Sequence, residues 1–89
     1  MKAGGLVYTA NGEIRRVVAK NGTDFSLDEL REIVHGSAER ISLSCNPQLY
    51  MVCNENFLSE GLPRNLAASM LYGGLICGDV LVCKREFVK

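Results

Sequence analysis

The chain has 89 residues, 47% of them hydrophobic, with ten Lys+Arg against ten Asp+Glu. That length makes a single domain, 1–89, of ordinary globular composition, which excludes a large multidomain enzyme, a collagen and a coiled coil. Balanced charge gives no net pull toward nucleic acid or anionic membrane, and no apolar run approaches the ~20 residues that span a bilayer.

Gly5 to Thr9 reads as a short strand. Asn11-Gly12 then predicts a hairpin turn of type I′, whose two central residues need positive φ. The return strand is expected from about Glu13 to Ala19, where Ile14, Val17 and Val18 are β-branched. Asn21-Gly22 breaks the chain.

The clearest element follows. Ser26 and Glu29 have the spacing of a capping box, in which each side chain satisfies the other's orphan backbone donor. Phe25 and Leu30 flank it as a hydrophobic staple. Leu27, Leu30, Ile33 and Val34 form an apolar stripe at helical period, with Asp28, Glu29, Arg31 and Glu32 largely outside it. A helix is expected from Leu27 to His35, with Gly36 as its C-cap.

Glu39 to Ser44 alternates apolar and polar as a half-buried strand does. Asn46-Pro47 predicts a turn, and Gln48 to Cys53 the partner strand. Asn54 to Leu62 is a polar loop carrying Phe57 and Leu58. Pro63 suits the first position of a second helix, where its missing N–H costs nothing. Leu66, Ala67, Met70 and Leu71 supply that helix's stripe, and Gly73-Gly74 ends it. A last strand runs from Val80 to Glu86. The order is β-β-α-β-β-α-β: an α+β domain with a mostly antiparallel or mixed sheet and two helices packed on it.

Cys45, Cys53, Cys77 and Cys83 lack the close pairing of a zinc site and lie in apolar stretches, so they read as small core residues. Cys77 and Cys83 can share a strand face, and Cys45 can face Cys53 across a hairpin. The first residues, from Lys2 to Arg16, do not resemble a signal peptide, and a cytoplasmic protein is expected. His35, the only histidine, has no orienting partner near it in sequence and reads as a helix-end residue. Asn54, Glu55, Asn56, Glu60, Asn65 and Asp79 surround the long loop. They can line a small site, or they can satisfy loop backbone, with Asp79 capping the turn into the last strand. No phosphate cradle, metal cluster or catalytic constellation stands out, and no cofactor is implied. Arg15, Arg16 and Lys20 on the first hairpin, with Lys84, Arg85 and Lys89 near the C-terminus, make two basic groups that merge if their strands pair. A strand edge kept soluble by basic residues is the plainer reading.

The stretch from Asn54 to Lys84 combines N-E-N, G-L-P-R-N-L-A-A-S, L-Y-G-G and I-C-G-D-V-L-V-C. It resembles a family of small proteins from bacteriophages, plasmids and gut-bacterial mobile elements that is known as a domain of unknown function (DUF3846-like). The family's Leu-Pro-x-Asn-x-x-Ala-[Thr/Ser] helix start and Gly-Asp-Val map onto Leu62, Pro63, Asn65, Ala68, Ser69, Gly78, Asp79 and Val80. Asn54-Glu55-Asn56-Phe57 stands where members have an acidic-Gly turn. The resemblance implies a mobile-element or phage context and this single-domain architecture, and it brings no catalytic residues.

Three functions follow as expectations. The first is a non-catalytic protein-interaction module that meets a host or element protein, with Asn54, Asn65, Asp79, Phe57 and Leu58 as candidate contacts and a homodimer left open. The second is a nucleic-acid-associated module using Arg15, Arg16, Lys84 and Arg85. The third is a small-ligand binder or enzyme with its site at a dimer interface.

Overall fold

The computed structural model describes residues 2–88; Met1 and Lys89, both inside the expected domain and the latter in one basic group, lie outside the described residues. The elements are β1 (Gly4–Tyr8), β2 (Ile14–Val18), α1 (Leu27–Val34), β3 (Ala38–Leu43), β4 (Asn46–Asn54), α2 (Leu66–Tyr72) and β5 (Val80–Lys84), followed by a 3₁₀ turn at Arg85–Phe87. All five strands join one sheet in the order β2-β1-β5-β4-β3, and every pairing is antiparallel. The expected α+β order is the observed one.

β5 lies at the centre of the sheet, and its run of Val80, Leu81, Val82 and Cys83 is buried on both faces. Leu81 and Cys83 point to one side, where Leu30 and Val34 of α1 pack with Phe25, Val52 and Val88. Val80 and Val82 point to the other, where Ala68 of α2 packs with Leu43, Met51, Cys53 and Ile76. The period of two therefore puts one helix on each face.

α1 forms as its sequence requires. Ser26 Oγ accepts from Glu29 N–H, and Glu29 Oε1 accepts from Ser26 N–H (3.0 Å). Phe25 and Leu30 are both buried in the same core. Glu29 is not on the outer face: its second oxygen accepts from Lys20 N–H (2.9 Å), tying the helix start to the end of β2. Leu27, at the head of the expected stripe, is exposed. The left-handed residue that ends the helix is His35 (φ 62°), one position before the expected glycine. Gly36 is needed for space instead. A Cβ there would lie 2.7 Å from Nδ2 of Asn54.

Other local expectations are corrected. Only Gly12 of the Asn11-Gly12 pair has positive φ. Gly12 N–H donates to Thr9 O and Thr9 N–H to Glu13 O, closing a three-residue loop with glycine in the left-handed position in place of a type I′ turn. The β3–β4 turn lies at Ser44-Cys45, and Asn46-Pro47 belongs to β4 beside a register shift at Ser42/Leu43. Proline, with no N–H to donate, is tolerated at such an irregularity. Cys45 is thus an exposed turn residue, and Cys53 lies opposite Glu39 instead of Cys45. Cys77 lies outside β5, in an isolated bridge with Arg64, so it shares no strand face with Cys83. β5 ends at Lys84, two residues earlier than expected, where the chain turns into the 3₁₀ segment.

Candidate functional site

Two surfaces hold the side chains singled out above. One is a polar end of the sheet, where the β1–β2 turn, the end of α1, the end of β4 and the start of β5 meet. Asn54 is fully buried there. Its amide donates to Val34 O, His35 O and Glu60 Oε1, and its Oδ1 accepts from Asn56 N–H (2.7 Å). It locks α1 to the end of β4 and folds the loop over itself. Asn65 is the N-cap of α2: Oδ1 accepts from Ala68 N–H (3.1 Å), and Nδ2 donates to Tyr8 O and Gly78 O, both at 2.8 Å. Every polar atom of both amides is occupied within the fold.

Asp79 differs. Oδ1 accepts from Ala10 N–H (2.9 Å), holding the β1–β2 turn, and Oδ2 lies 3.1 Å from Nε2 of His35. Sequence reading found no partner for His35 because the partner is 44 residues away. His35 and Asp79 edge a cleft of about 230 Å³ with Thr9, Arg15 and Glu32 over a floor of Val7, Val17 and Ile33. The imidazole is 62% exposed, so water screens the pair, whose worth is that of a surface contact. A histidine in left-handed backbone carries strain that glycine would not. The carboxylate orients the ring, but no nucleophile joins the pair in hydrogen-bond contact among the described residues.

The second surface is α2. The expected stripe of Leu66, Ala67, Met70 and Leu71 is turned outward: Leu66 is 61% and Met70 75% exposed, Ala67 is exposed and only Leu71 is half-buried. The buried residues are Ala68 and Ser69. Their small size seats the helix close on the sheet, and Ser69 Oγ both donates to Ile76 O and accepts from Ile76 N–H. Pro63 is not the first helical residue. It lies in an extended lead-in whose carbonyl accepts from Gly78 N–H (2.7 Å). Leu66, Met70 and Leu75 line a shallow groove with Arg64, Ser69 and Gly74. In the loop before it, Phe57 packs half-buried on the core and Leu58 is exposed.

The model of one family, Domain of unknown function (DUF3846), matches residues 3–87. The chain belongs to this family. No curated protein and no solved structure matches it.

The rest of the DUF3846 domain places the basic groups apart. β2 and β5 do not pair; β1 lies between them. Arg15 and Arg16 are neighbours in one strand and so point to opposite faces, and Arg15 pairs with Glu13 (3.3 Å). Arg85 stacks on Tyr50, 4.6 Å from the ring centroid, and donates to Pro47 O and to the Tyr50 hydroxyl. Lys84 lies over Phe87. The condition for one merged basic patch is not met. Among the described residues no three His, Cys, Asp or Glu side chains gather as metal ligands, and no helix is long and apolar enough to cross a membrane. Burial pushes the thiols of Cys53 and Cys83 up to about 11, with Glu39 adding to the effect at Cys53.

Proposed function

We propose that this chain is a non-catalytic interaction module of a phage or mobile element, and that it binds protein through the outward face of α2. The observation that carries the reading is the inverted helix. A seven-residue helix that buries Ala68 and Ser69 and presents Leu66 and Met70 to water gives up burial of two large apolar side chains. Exposed apolar side chains gathered on one face mark contact surfaces. The face has no charged residue within the helix, which favours an apolar partner surface. Asn65 acts beneath this face as the cap and clamp of its helix, whereas Asn54 lies toward α1 and holds the loop after β4.

The test is capture from a cognate lysate treated with nuclease, using the wild-type chain and Met70→Glu. Met70 is exposed, so the variant should fold. Capture that survives nuclease and is lost in the variant is the expected result. Equal capture by both chains overturns the reading, and capture lost on nuclease treatment moves the function to Arg15, Arg16, Lys84 and Arg85. The genes flanking the coding sequence test the element context. The small-ligand alternative, placed around Asn54, Asn65 and Asp79 at a dimer interface, is less favoured because both amides are saturated within the fold and only Asp79 borders a cleft, of about 230 Å³.

A further inference from the structure

β2 ends the sheet on one side. Its bonds to β1 follow from the two flanks: Thr9 N–H donates to Glu13 O, and Ala19 N–H donates to Ala3 O. Between them the register runs unbroken from Tyr8↔Ile14 to Gly4↔Val18, so alternation makes Val7–Arg15 and Gly5–Val17 the bonded pairs. The N–H and C=O groups of Ile14, Arg16 and Val18 therefore point away from β1. No strand or bridge meets them among the described residues, and all three residues are exposed. The opposite edge, β3, differs. A register shift at Ser42/Leu43 interrupts its ladder, and Glu39 and Arg40 give it both signs of charge.

We propose that the open edge of β2 takes an extended acidic segment of another protein as a sixth, antiparallel strand, with a carboxylate side chain opposite Arg16 and apolar side chains opposite Ile14 and Val18. The site is separate from the α2 face and does not rest on it. Three observations carry the proposal. A row of six unbonded N–H and C=O groups at strand spacing is matched by another polypeptide backbone, which sets the class of partner. Arg15 is met by Glu13 and Lys20 by Glu32, whereas Arg16 and Lys2 have no anionic partner among the described residues. Both line a hollow of about 440 Å³ with Gly4, Leu6 and Val18, so an acidic side chain entering from the edge meets two unneutralised cations. Ile14 and Val18, 60% and 51% exposed, flank Arg16 two positions away on the same face and await cross-strand apolar neighbours. The same charge rejects a second copy: two β2 strands paired about Arg16 would set guanidinium against guanidinium. Arg16 thus admits a segment of opposite charge and blunts the edge toward others.

The probe is a fluorescein-labelled peptide with the core Thr-Val-Thr-Glu-Thr-Val-Thr, titrated with the full chain and followed by anisotropy. Paired antiparallel and centred on Arg16, its two Val and its Glu turn their N–H groups toward β2, and the two central Thr turn theirs away. Saturable binding is the expected result. N-methylation of the Val and Glu residues, or Lys in place of Glu, should each weaken it at least about tenfold, and N-methylation of the central Thr residues should not. Arg16→Glu, at an exposed position, should reverse the preference between the Glu and Lys peptides, and Met70→Glu on α2 should leave binding unchanged. In the complex the amide protons of Ile14, Arg16 and Val18 should exchange more slowly with solvent. Absence of binding overturns the proposal. So does binding indifferent to the placing of the N-methyl groups or to the charge of the central residue, and so does slowed exchange along β3 in place of β2.

Discussion

Changing Asn65 to Asp alters one atom of a buried clamp and leaves its shape. Asp is as good an N-cap as Asn, so the bond from Ala68 N–H to Oδ1 survives. The second atom becomes an oxygen facing Tyr8 O and Gly78 O, which Nδ2 now meets at 2.8 Å. Two hydrogen bonds worth about 1 kcal/mol each are lost, and carbonyls left unsatisfied add a further ~1–3 kcal/mol. Protonating the new carboxyl returns one bond, which limits the total to roughly 3 kcal/mol. A domain of this size is stable by about 4–13 kcal/mol, so the variant should melt roughly 12–24 °C lower. The buried carboxyl's folded pKa lies above its unfolded one. Its stabilising contribution is therefore present below the ordinary aspartate range and lost as pH rises through the folded value. Urea unfolding followed by circular dichroism at pH 7 and pH 4 is the assay, with the variant closest to wild type at pH 4. A loss under ~1 kcal/mol at pH 7 would show that the cap alone holds α2 and that the two carbonyl bonds contribute nothing.

Gly36→Ala puts a Cβ 2.7 Å from the Asn54 amide, so that amide must leave Val34 O and Glu60; a cost of about 2 kcal/mol by chemical denaturation is expected. Burial raises the Glu29 carboxyl, but the N–H groups of Ser26 and Lys20 and the Ser26 hydroxyl outweigh it, and the net pKa falls below the ordinary 4.5. The stability this contributes is complete above 4.5 and is lost as pH falls through the folded value. Glu29→Gln, with one acceptor oxygen where two are needed, should flatten the acid limb of a stability–pH profile and cost about 1–2 kcal/mol at pH 7. Thiol labelling of the native chain should modify the exposed Cys45 first. Cys53 and Cys83, raised to about 11, should react only at the rate of opening, and their burial should favour the fold up to pH 9.0 and cease to do so above about 11.

What sequence revealed was local. The capping box, the staple and the strand periods depend on residues within a few positions of one another, and α1 and the element order follow from them. The start of α2 was misplaced because Pro63 suits an extended segment as well as a first helical turn. The choice between them is made by Asn65 N–H bonding to Ile76 O and Gly78 N–H bonding to Pro63 O, both non-local. The stripe of α2 has helical period, but period does not say which face turns inward. Close seating on the sheet selects Ala68 and Ser69 over Leu66 and Met70. His35 found its partner only when folding brought β5 beside the end of α1.

The motif that carries the family resemblance is therefore a description of the fold more than of a site. Asn65 caps and clamps, Ala68 and Ser69 let α2 sit close, and a Cβ at Gly78 would meet Leu62 at 2.8 Å. Val80 fills the core, and Asp79 holds the β1–β2 turn. Each of these positions positions α2 or the strand beneath it. The residues left outside that network on the same side, Leu66, Met70, Leu75, Ile14 and Val18, do no comparable work in the monomer, since each is half or more exposed. An activity of this chain that depends on contact is thus expected to respond to substitutions there at little cost in stability, and to substitutions in the motif only through loss of the fold. Stability and capture measured on the same variants separate the two classes.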